Sequence, residues 1–337
     1  MNLAKKGKKP KNAASSQEEE RYFPISPLIL RPDTASDFRV YLKQGTSFVL
    51  YTREKEQYTQ KLKQKLFEFG IETVYVPKEQ SEAYESYVEN NFEAILNDSS
   101  IPLKERSRIF YSRSLDVVQG LFDTIYNKTL QEDEVKQLEQ LVRSSLEFLS
   151  SSEALSNIGR LVSHDYQTYS HCLHVFTYSA SLMHRYHFTR DKIIQVGIGA
   201  MLHDIGKSSI PKRILNKPGK LSPEEWEAIK THPVQGLGLC AMLDLSHTTI
   251  NAILLHHEKC DGSGYPCGLT KESLPLEIKI LTCCDIYDAI TSDRPYAKAE
   301  STYNALNIMR YHMQGALDLG VFREFVIMLS DANLTSA

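Results

Sequence analysis

Seven histidine and aspartate residues in the second half of the sequence could together bind metal ions. In chain order they are His171, His203, Asp204, His232, His256, His257 and Asp285. Imidazole nitrogens and carboxylate oxygens are the ligands that iron, manganese and zinc use in proteins, and two neighbouring metals need a carboxylate that bridges them. Asp204, which directly follows His203, is the predicted bridge. All eleven histidines lie at or after His164, so metal or acid–base chemistry is predicted in this half of the chain.

His256 and His257 are adjacent and are followed by a glycine-rich turn, in the segment HHEKCDGSGYP. Two adjacent residues of a regular helix point about 100° apart, so this pair cannot easily bind one ion from inside a helix. The pair can serve two ions, or one ion and a substrate. The glycine-rich turn is predicted to end the helix and to let the backbone bend around a ligand.

A capping box predicts the helix that precedes His232, in the segment LSPEEWEAIKTH. Ser222 is its predicted N-cap, Pro223 its first residue and Glu225 its third. His232 is therefore expected near the C-terminus of this helix, where Pro233 interrupts it.

The remaining histidines are given no ligand role. His184, His187 and His247 are interpreted as surface or core residues, because an isolated histidine is more often structural than metal-bound. His164 and His174 are more ambiguous, and a structural role is favoured for both.

The elements that must position these residues change type along the chain. Short stretches rich in β-branched and aromatic residues predict strands, and longer periodic stretches predict helices. The predicted strands are 38–42, 47–52 and 73–77, and the predicted N-terminal helices are 53–69 and 79–97. From about residue 153 the pattern is helical almost throughout. The predicted segments are a disordered basic and polar tail (1–24), a small α/β domain (25–100), a helical linker (101–152) and an all-α domain (153–337).

Two apolar stripes at helical spacing characterise the predicted linker. They comprise Leu115, Val118, Phe122 and Ile125, and then Leu138, Leu141, Val142, Leu146 and Leu149. The stripes either cover the next domain or pair in a homodimer through the linker helices, and neither stripe sustains several heptads.

The overall composition excludes some classes of protein. A length of 337 residues accommodates two domains, and a net charge of −3 provides no global field that would attract nucleic acid or an anionic membrane. No apolar run approaches the roughly 20 residues that span a bilayer, and no signal peptide is evident, so a cytoplasmic protein is expected. The six cysteines contain no CxxC pair and are interpreted as reduced packing residues.

Four motifs in the second half occur in a characteristic order. They are MLHDIGK, THPVQG, LLHHEKCDGSGYP and CCDIYDAITSDRPY. The region from about 153 to 315 resembles the HD-GYP family, a branch of the HD metal-dependent phosphohydrolases, and includes the family's defining Gly264, Tyr265 and Pro266. The resemblance implies an all-α HD-type catalytic domain that hydrolyses cyclic di-GMP, a bacterial second messenger, to the linear dinucleotide and on to GMP. It also implies two or three bound metals, usually iron or manganese.

The resemblance also implies roles for individual residues. All seven residues named at the outset become metal ligands, and Asp204 and Lys207 become the catalytic pair. Lys207 and Arg294 are expected to contact phosphate, Tyr265 to contact the substrate, and Asp165 and Asp288 to hold substrate or bound water. The implied chemistry is in-line attack on phosphorus by a metal-bridging hydroxide.

Two departures from the family pattern modify this prediction. Members with three metals have a glutamate four residues before the first histidine ligand, where this chain has Gln167. A neutral amide is a poorer ligand than a carboxylate, so a two-metal centre is predicted. The family often has a basic residue directly after its SDRPY motif, whereas Ala297 stands there and Lys298 follows. One phosphate contact is therefore missing or shifted.

Other functions are compatible with the same residues. One is a phosphohydrolase of the wider HD class, acting on a nucleotide or on another cyclic dinucleotide; another is a weakly active or inactive binding module that signals through protein contacts. Signalling proteins such as GGDEF-domain proteins are expected partners. The N-terminal α/β domain either senses or docks an unknown ligand, or contributes to dimerisation.

Overall fold

The computed structural model divides the chain into two compact units. The units are Met1–Glu105 and Arg106–Ala337. The structure describes residues 21–127, 130–161, 168–293 and 298–335. Within these ranges no helix combines the length and the apolar character needed to cross a membrane.

The first unit is built on a four-stranded antiparallel sheet with the strand order β1-β6-β3-β4. Its strands, including a separate two-stranded ladder of β2 and β5, are β1 (Tyr22–Ile25), β2 (Thr34–Ala35), β3 (Val40–Gln44), β4 (Ser47–Thr52), β5 (Gln57–Tyr58) and β6 (Val74–Pro77). The three predicted strands are confirmed to within two residues. The predicted disordered tail was too long, because β1 pairs with β6 from Tyr22 onward.

Two helices pack in the first unit, α1 (Gln60–Glu68) and α2 (Ser81–Asn97). The helix predicted from residue 53 begins later because Thr59 is its N-cap and accepts a hydrogen bond from the Leu62 amide. The two residues before this cap, in β5, pair with β2 instead. The helix ends at Glu68, within one residue of the predicted end, and the predicted stop Gly70 follows with a φ of +63°, which glycine adopts easily.

The second unit is helical, as predicted. Its helices, one of which begins just before the unit boundary, are α3 (Leu103–Asn127), α4 (Glu132–Leu149), α5 (Ser152–Gly159), α6 (Thr168–Arg185), α7 (Arg190–Leu202), α8 (Lys212–Leu215), α9 (Pro223–Lys230), α10 (His232–Leu239), α11 (His247–Leu255), α12 (Leu276–Thr291), α13 (Thr302–His312) and α14 (Leu319–Asp331). A short 3₁₀ helix at Ile205–Ser209 follows α7.

Helix α4 belongs to the core of this unit rather than to an extended linker. Its apolar stripe is buried, with Leu138 and Val142 at 0% exposure, and the helix packs against α6 and α7 of the same unit. The stripe of α3 is also covered, since Val118 and Phe122 are buried. The alternative in which the stripes cover the next domain therefore fits the structure. A homodimer through the α4 stripe would need a surface that is already occupied.

The elements that carry the predicted ligands pack directly on one another. Helix α6 contacts α7 and α12, α7 contacts α11, and the 3₁₀ helix contacts α10. Gly206 explains the last contact, because a Cβ atom there would overlap the carbonyl oxygen of His232 and the amide of Gly236. Only glycine lets the HDIGK segment approach α10 this closely, and the approach brings Asp204 to His232.

Candidate metal centre

The seven predicted ligands come together in the second unit. Most lie at helix ends: His203 and Asp204 follow α7, His232 begins α10, and His256 and His257 follow α11. The remaining two ligands, His171 and Asp285, project from α6 and α12, respectively. Apart from His257, whose side chain is 23% exposed, the seven side chains are almost fully buried.

The first group of ligand atoms comprises His171, His203 and Asp285, all within 4.8 Å of one another. The Nε2 atoms of His171 and His203 are 3.2 Å apart, and His171 Nε2 is 3.0 Å from Asp285 Oδ1. Two imidazoles and one carboxylate thus converge on one point, an arrangement that suits a transition metal.

The second group comprises Asp204, His232, His256 and His257. The Nε2 atoms of His232 and His256 are 3.1 Å apart, and Asp204 Oδ1 is 3.3 Å from His232 Nε2. Both adjacent histidines belong to this one group, with ring centroids 4.1 Å apart. The expectation that they serve two ions, or an ion and a substrate, assumed a continuing helix. Helix α11 ends at Leu255, so the helical angle between neighbours does not apply.

Hydrogen bonds fix the tautomers of three histidines. In His203, His232 and His256, Nδ1 lies 2.7–2.8 Å from the backbone carbonyl oxygen three residues earlier. A carbonyl only accepts, so each Nδ1 donates and a neutral ring keeps its lone pair on Nε2. Burial lowers the pKa of His203 to about 4 and that of His256 well below its usual value, so these two rings are neutral.

The Nε2 lone pairs of the neutral His203 and His256 therefore lie 3.1–3.2 Å from Nε2 of His171 and His232, respectively. Lone pairs in these positions favour a cation between the paired rings. Asp204 Oδ1 is also buried and accepts no hydrogen bond from the described residues. Buried polar atoms normally have a hydrogen-bonding or metal partner. Metal ions bound in the two groups would be the partners of Asp204 Oδ1 and of the histidine Nε2 atoms. The residues therefore fit bound metals.

Asp204 has the geometry of the predicted bridge. Its Oδ1 faces His232 of the second group, and its Oδ2 lies 3.6 Å from Nε2 of both His171 and His203 of the first. Lys207 Nζ is 2.6 Å from the same Oδ2. Burial alone would raise the pKa of Asp204, but Lys207 and the neighbouring histidines outweigh it and hold the pKa well below its usual range. The carboxylate therefore remains ionised and available to cations.

Asp288 has a different environment from the one predicted. It is 1% exposed, and its two oxygens accept hydrogen bonds from His171 Nδ1 at 2.7 Å and His174 Nδ1 at 2.9 Å. The carboxylate that was expected to hold substrate or bound water is instead occupied by hydrogen bonds from the predicted ligand His171 and from His174. His174, for which a structural role was favoured, is its second partner.

Cys172 lies close to His203 and Asp204 and could complete a further ligand group. Burial raises the pKa of its thiol well above the usual value, and the negative charge of Asp204 adds to the effect. Only a thiolate is a good ligand. The interpretation of Cys172 as a packing residue is therefore kept.

The loop after His257 places aromatic rings beside the second group. The Tyr265 ring lies 4.7 Å from the His257 ring, and the half-exposed Trp226 ring lies 6.4 Å from that of Tyr265. Glycine is required at position 264 of this loop, because a Cβ atom there would overlap the backbone of Glu258. Tyr265 is thus close to the ligands, as a substrate contact must be.

Glu258 secures this loop and was missed by the sequence analysis. It is 1% exposed, and its carboxylate accepts hydrogen bonds from the backbone amides of Cys267, Gly268 and Leu269 at 2.6–3.1 Å. A carboxylate directly before a glycine-rich turn was the available signal. Trp226 was also missed as a residue of this site.

Several predicted site residues lie outside the described part of the chain. They are Asp165, Gln167, Arg294 and Ala297. Lys298 is described, and its Nζ is 3.6 Å from a carboxylate oxygen of Asp293. The predicted roles of Asp165 and Arg294, and the effect of Gln167 on metal number, stay predictions.

Comparison with known proteins identifies the domain that carries six of the seven predicted ligands, all except His171. Residues 173–320 match the family model of the HD domain. Cyclic di-GMP phosphodiesterase PA4108 of Pseudomonas aeruginosa is 38% identical over 185 residues, which cover 54% of this chain and 44% of that protein. The cyclic di-GMP phosphodiesterase response regulator RpfG of Xanthomonas campestris is 34% identical over 196 residues, which cover 56% and 52%.

Two further matches extend the comparison. The 3'3'-cGAMP-specific phosphodiesterase 3 of Vibrio cholerae is 40% identical over 119 residues, which cover 35% of this chain and 26% of that protein. The chain thus aligns with about half or less of the length of these relatives. The solved HD-GYP protein Bd1817 of Bdellovibrio bacteriovorus aligns with 92% of this chain and 99% of its own, with a TM-score of 0.64 and 21% identity, which establishes a shared fold. These matches confirm the resemblance drawn from the motifs.

Proposed function

Residues 173–320 form an HD domain, and on this premise we propose that the chain is a metal-dependent phosphodiesterase. Its proposed reaction is hydrolysis of cyclic di-GMP to the linear dinucleotide, to GMP or to both. The observation that carries the proposal is the pair of buried ligand groups that meet at Asp204, with the Nε2 lone pairs of the neutral His203 and His256 directed at their neighbours in each group. Relatives named as cyclic di-GMP phosphodiesterases support the choice of substrate.

The two groups would hold two ions; nitrogen and oxygen ligands suit iron, manganese or zinc, and the family resemblance favours iron or manganese. His171, His203 and Asp285 would hold one, and His232, His256 and His257 the other, with Asp204 shared. When bound, such ions generate a nucleophile from water at neutral pH and neutralise charge on the phosphoryl group.

The chain itself contributes charge and orientation to this reaction. Lys207 lies at the edge of the ligand groups with its side chain 14% exposed, and its ammonium is anchored by Asp204. We assign it to a non-bridging oxygen of the scissile phosphate, where a fixed cation counters developing negative charge. Tyr265 would contact the substrate from the loop, and Arg294 remains the predicted second phosphate contact.

Cyclic GMP-AMP is a second candidate substrate. A Vibrio cholerae relative 40% identical to this chain is named a 3'3'-cGAMP-specific phosphodiesterase. Cyclic GMP-AMP has the same two phosphodiester linkages as cyclic di-GMP and differs in one base. The ligand groups act on phosphate and do not distinguish these bases, so both compounds are candidates.

The test uses protein purified anaerobically and loaded with iron or manganese. A panel of cyclic dinucleotides is incubated with it, and the products are separated by chromatography. Asp204→Ala should abolish cleavage, whereas Asp244→Ala, at an exposed position, should leave it unchanged. Cleavage that survives in Asp204→Ala would refute the proposed site. Tight cyclic di-GMP binding without turnover by the loaded wild type would favour a binding module.

GGDEF-domain proteins as partners, a homodimer, and a sensing or docking role for the first unit all stay predictions. They concern surfaces outside the metal centre. Co-purification of tagged full-length protein from its native cell, with and without added cyclic di-GMP, would test the partners. Analytical ultracentrifugation would test the homodimer.

A further inference from the structure

A continuous hydrogen-bonded chain runs from helix α3 to the first ligand group. The Tyr111 hydroxyl is 3.0 Å from His174 Nε2, and His174 Nδ1 is 2.9 Å from Asp288 Oδ1. The other oxygen of Asp288 is 2.7 Å from His171 Nδ1. His171, His174 and Asp288 are each at most 2% exposed, so water does not compete for these bonds.

The proton on each bond of this chain can be assigned. A carboxylate accepts hydrogen bonds from both rings, so His171 and His174 each donate from Nδ1 to Asp288. A neutral His174 then has its lone pair on Nε2, the atom that lies 3.0 Å from the Tyr111 hydroxyl, and accepts a hydrogen bond from that hydroxyl. In neutral His171 the lone pair lies on Nε2, the atom that faces His203 and Asp285.

We propose that Tyr111 and His174 are positioning residues for the metal ligand His171. Tyr111 fixes the ring of His174, both by its hydrogen bond and by stacking with a centroid separation of 5.9 Å and an interplanar angle of 19°. His174 in turn occupies Oδ1 of Asp288, which leaves Oδ2 aligned with His171. Tyr111 lies outside the 173–320 match, so part of the metal-holding apparatus is supplied from outside the matched segment.

The expected loss of metal affinity follows from the position of each residue in the hydrogen-bonded series from Tyr111 to His171. Loss of a hydrogen-bonded group behind a metal ligand typically weakens metal binding by about 10–100-fold. His174→Leu removes both of its hydrogen bonds and should fall in this range. Tyr111→Phe removes one hydroxyl and keeps the ring, so a loss of about fivefold is expected, the equivalent of one net hydrogen bond.

The experiment measures the dissociation constant of Mn²⁺ by chelator competition under anaerobic conditions, without any nucleotide. It therefore does not depend on the proposed reaction: cyclic di-GMP hydrolysis could fail while this inference holds, and the reverse. Tyr287→Phe is the matched control. The hydroxyl of the buried Tyr287 also makes a 3.0 Å hydrogen bond, to Thr302, but this bond is not part of the series that links Tyr111 to His171. Its Mn²⁺ affinity should equal that of the wild type.

A rescue variant separates positioning from general destabilisation. In His174→Asn the side-chain amide can still donate to Asp288, so Mn²⁺ affinity should recover most of what His174→Leu loses. Unfolding of the metal-free proteins is measured alongside, because a purely structural role would lower that stability and leave the dissociation constant unchanged. Should His174→Leu fail to fold, Tyr111→Phe alone decides. Wild-type Mn²⁺ affinity in Tyr111→Phe, or an equal loss in Tyr287→Phe, would overturn the proposal.

Discussion

Replacing Glu258 by glutamine is predicted to loosen the loop that carries Tyr265 without removing a metal ligand. The buried carboxylate accepts three hydrogen bonds, from the backbone amides of Cys267, Gly268 and Leu269. Glutamine has nearly the same shape, but its side chain accepts through one oxygen only. Its NH₂ group would face at least one backbone N–H, and the remaining bonds would lose their charge assistance.

The expected magnitude follows from these bonds. A hydrogen bond to a charged group contributes about 1.5–3 kcal/mol, so losing one lowers the free energy of loop opening by about 2 kcal/mol. Since each 1.4 kcal/mol is a factor of ten, this corresponds to about 30-fold more opening. The backbone amides of residues 267–269 should exchange with solvent about 30-fold faster where they exchange by local opening.

Hydrogen exchange of Mn²⁺-loaded protein, followed by mass spectrometry or NMR, measures this change directly. The KM for cyclic di-GMP should rise as Tyr265 is less well held, whereas the number of bound metals should not change. Glu272→Gln is the matched control in the same loop, because its exposed carboxylate accepts from the Thr270 hydroxyl rather than from the clamped amides. Unchanged exchange at 267–269 in Glu258→Gln, or equal acceleration in Glu272→Gln, would refute this account of the loop.

Three further predictions concern metals, aromatic contacts and thiols. Metal analysis of anaerobically purified protein should find two tightly bound ions per chain, and three would contradict the expectation drawn from Gln167. Trp226→Leu should raise the KM for cyclic di-GMP about tenfold, because stacking of a base on an aromatic ring contributes about 1–3 kcal/mol. Trp226→Phe keeps an aromatic ring and should change the KM little. Equal KM values for Trp226→Leu and the wild type in steady-state kinetics would exclude this contact. At pH 8 a thiol reagent should modify the exposed Cys267 rapidly and spare Cys284. Burial raises the pKa of the Cys284 thiol to about 12, so this thiol stays protonated at pH 8. Mass spectrometry of the labelled protein identifies the modified residues.

The convergence of the seven predicted ligands could be predicted from residue type and motif order. Their grouping could not be predicted in the same way. Asp285 and Asp288 are three residues apart and share one face of α12, so spacing alone does not distinguish them, and only the resemblance assigned Asp285 to metal and Asp288 to substrate or water. The structure separates them, because His174 on α6 occupies one oxygen of Asp288. The late start of α1 was likewise decided by a cap and a strand pairing, at Thr59 and in β5, against a helical pattern.

The helical angle used for the adjacent histidines does not apply to the structure for a related reason. The angle between neighbours was taken from a helix, but the site is built where helices end. His203 and His256 directly follow α7 and α11, and His232 follows α9 by two residues. In each case Nδ1 donates to a carbonyl in the last turn of that helix, where carbonyls have no partner within the helix.

One local rule therefore performs two tasks at this site. A histidine placed just beyond a helix C-terminus caps a carbonyl of that helix with Nδ1, and the same bond directs the lone pair on Nε2 away from the helix. Three helices that end close together consequently present three Nε2 atoms to the two adjoining ligand groups, and the glycine at position 206 lets two of these ends meet. His257 is not bound in this way, and its Nδ1 instead lies 3.3 Å from Asp285 Oδ2, in the first group. His257 therefore contacts both groups of predicted ligands.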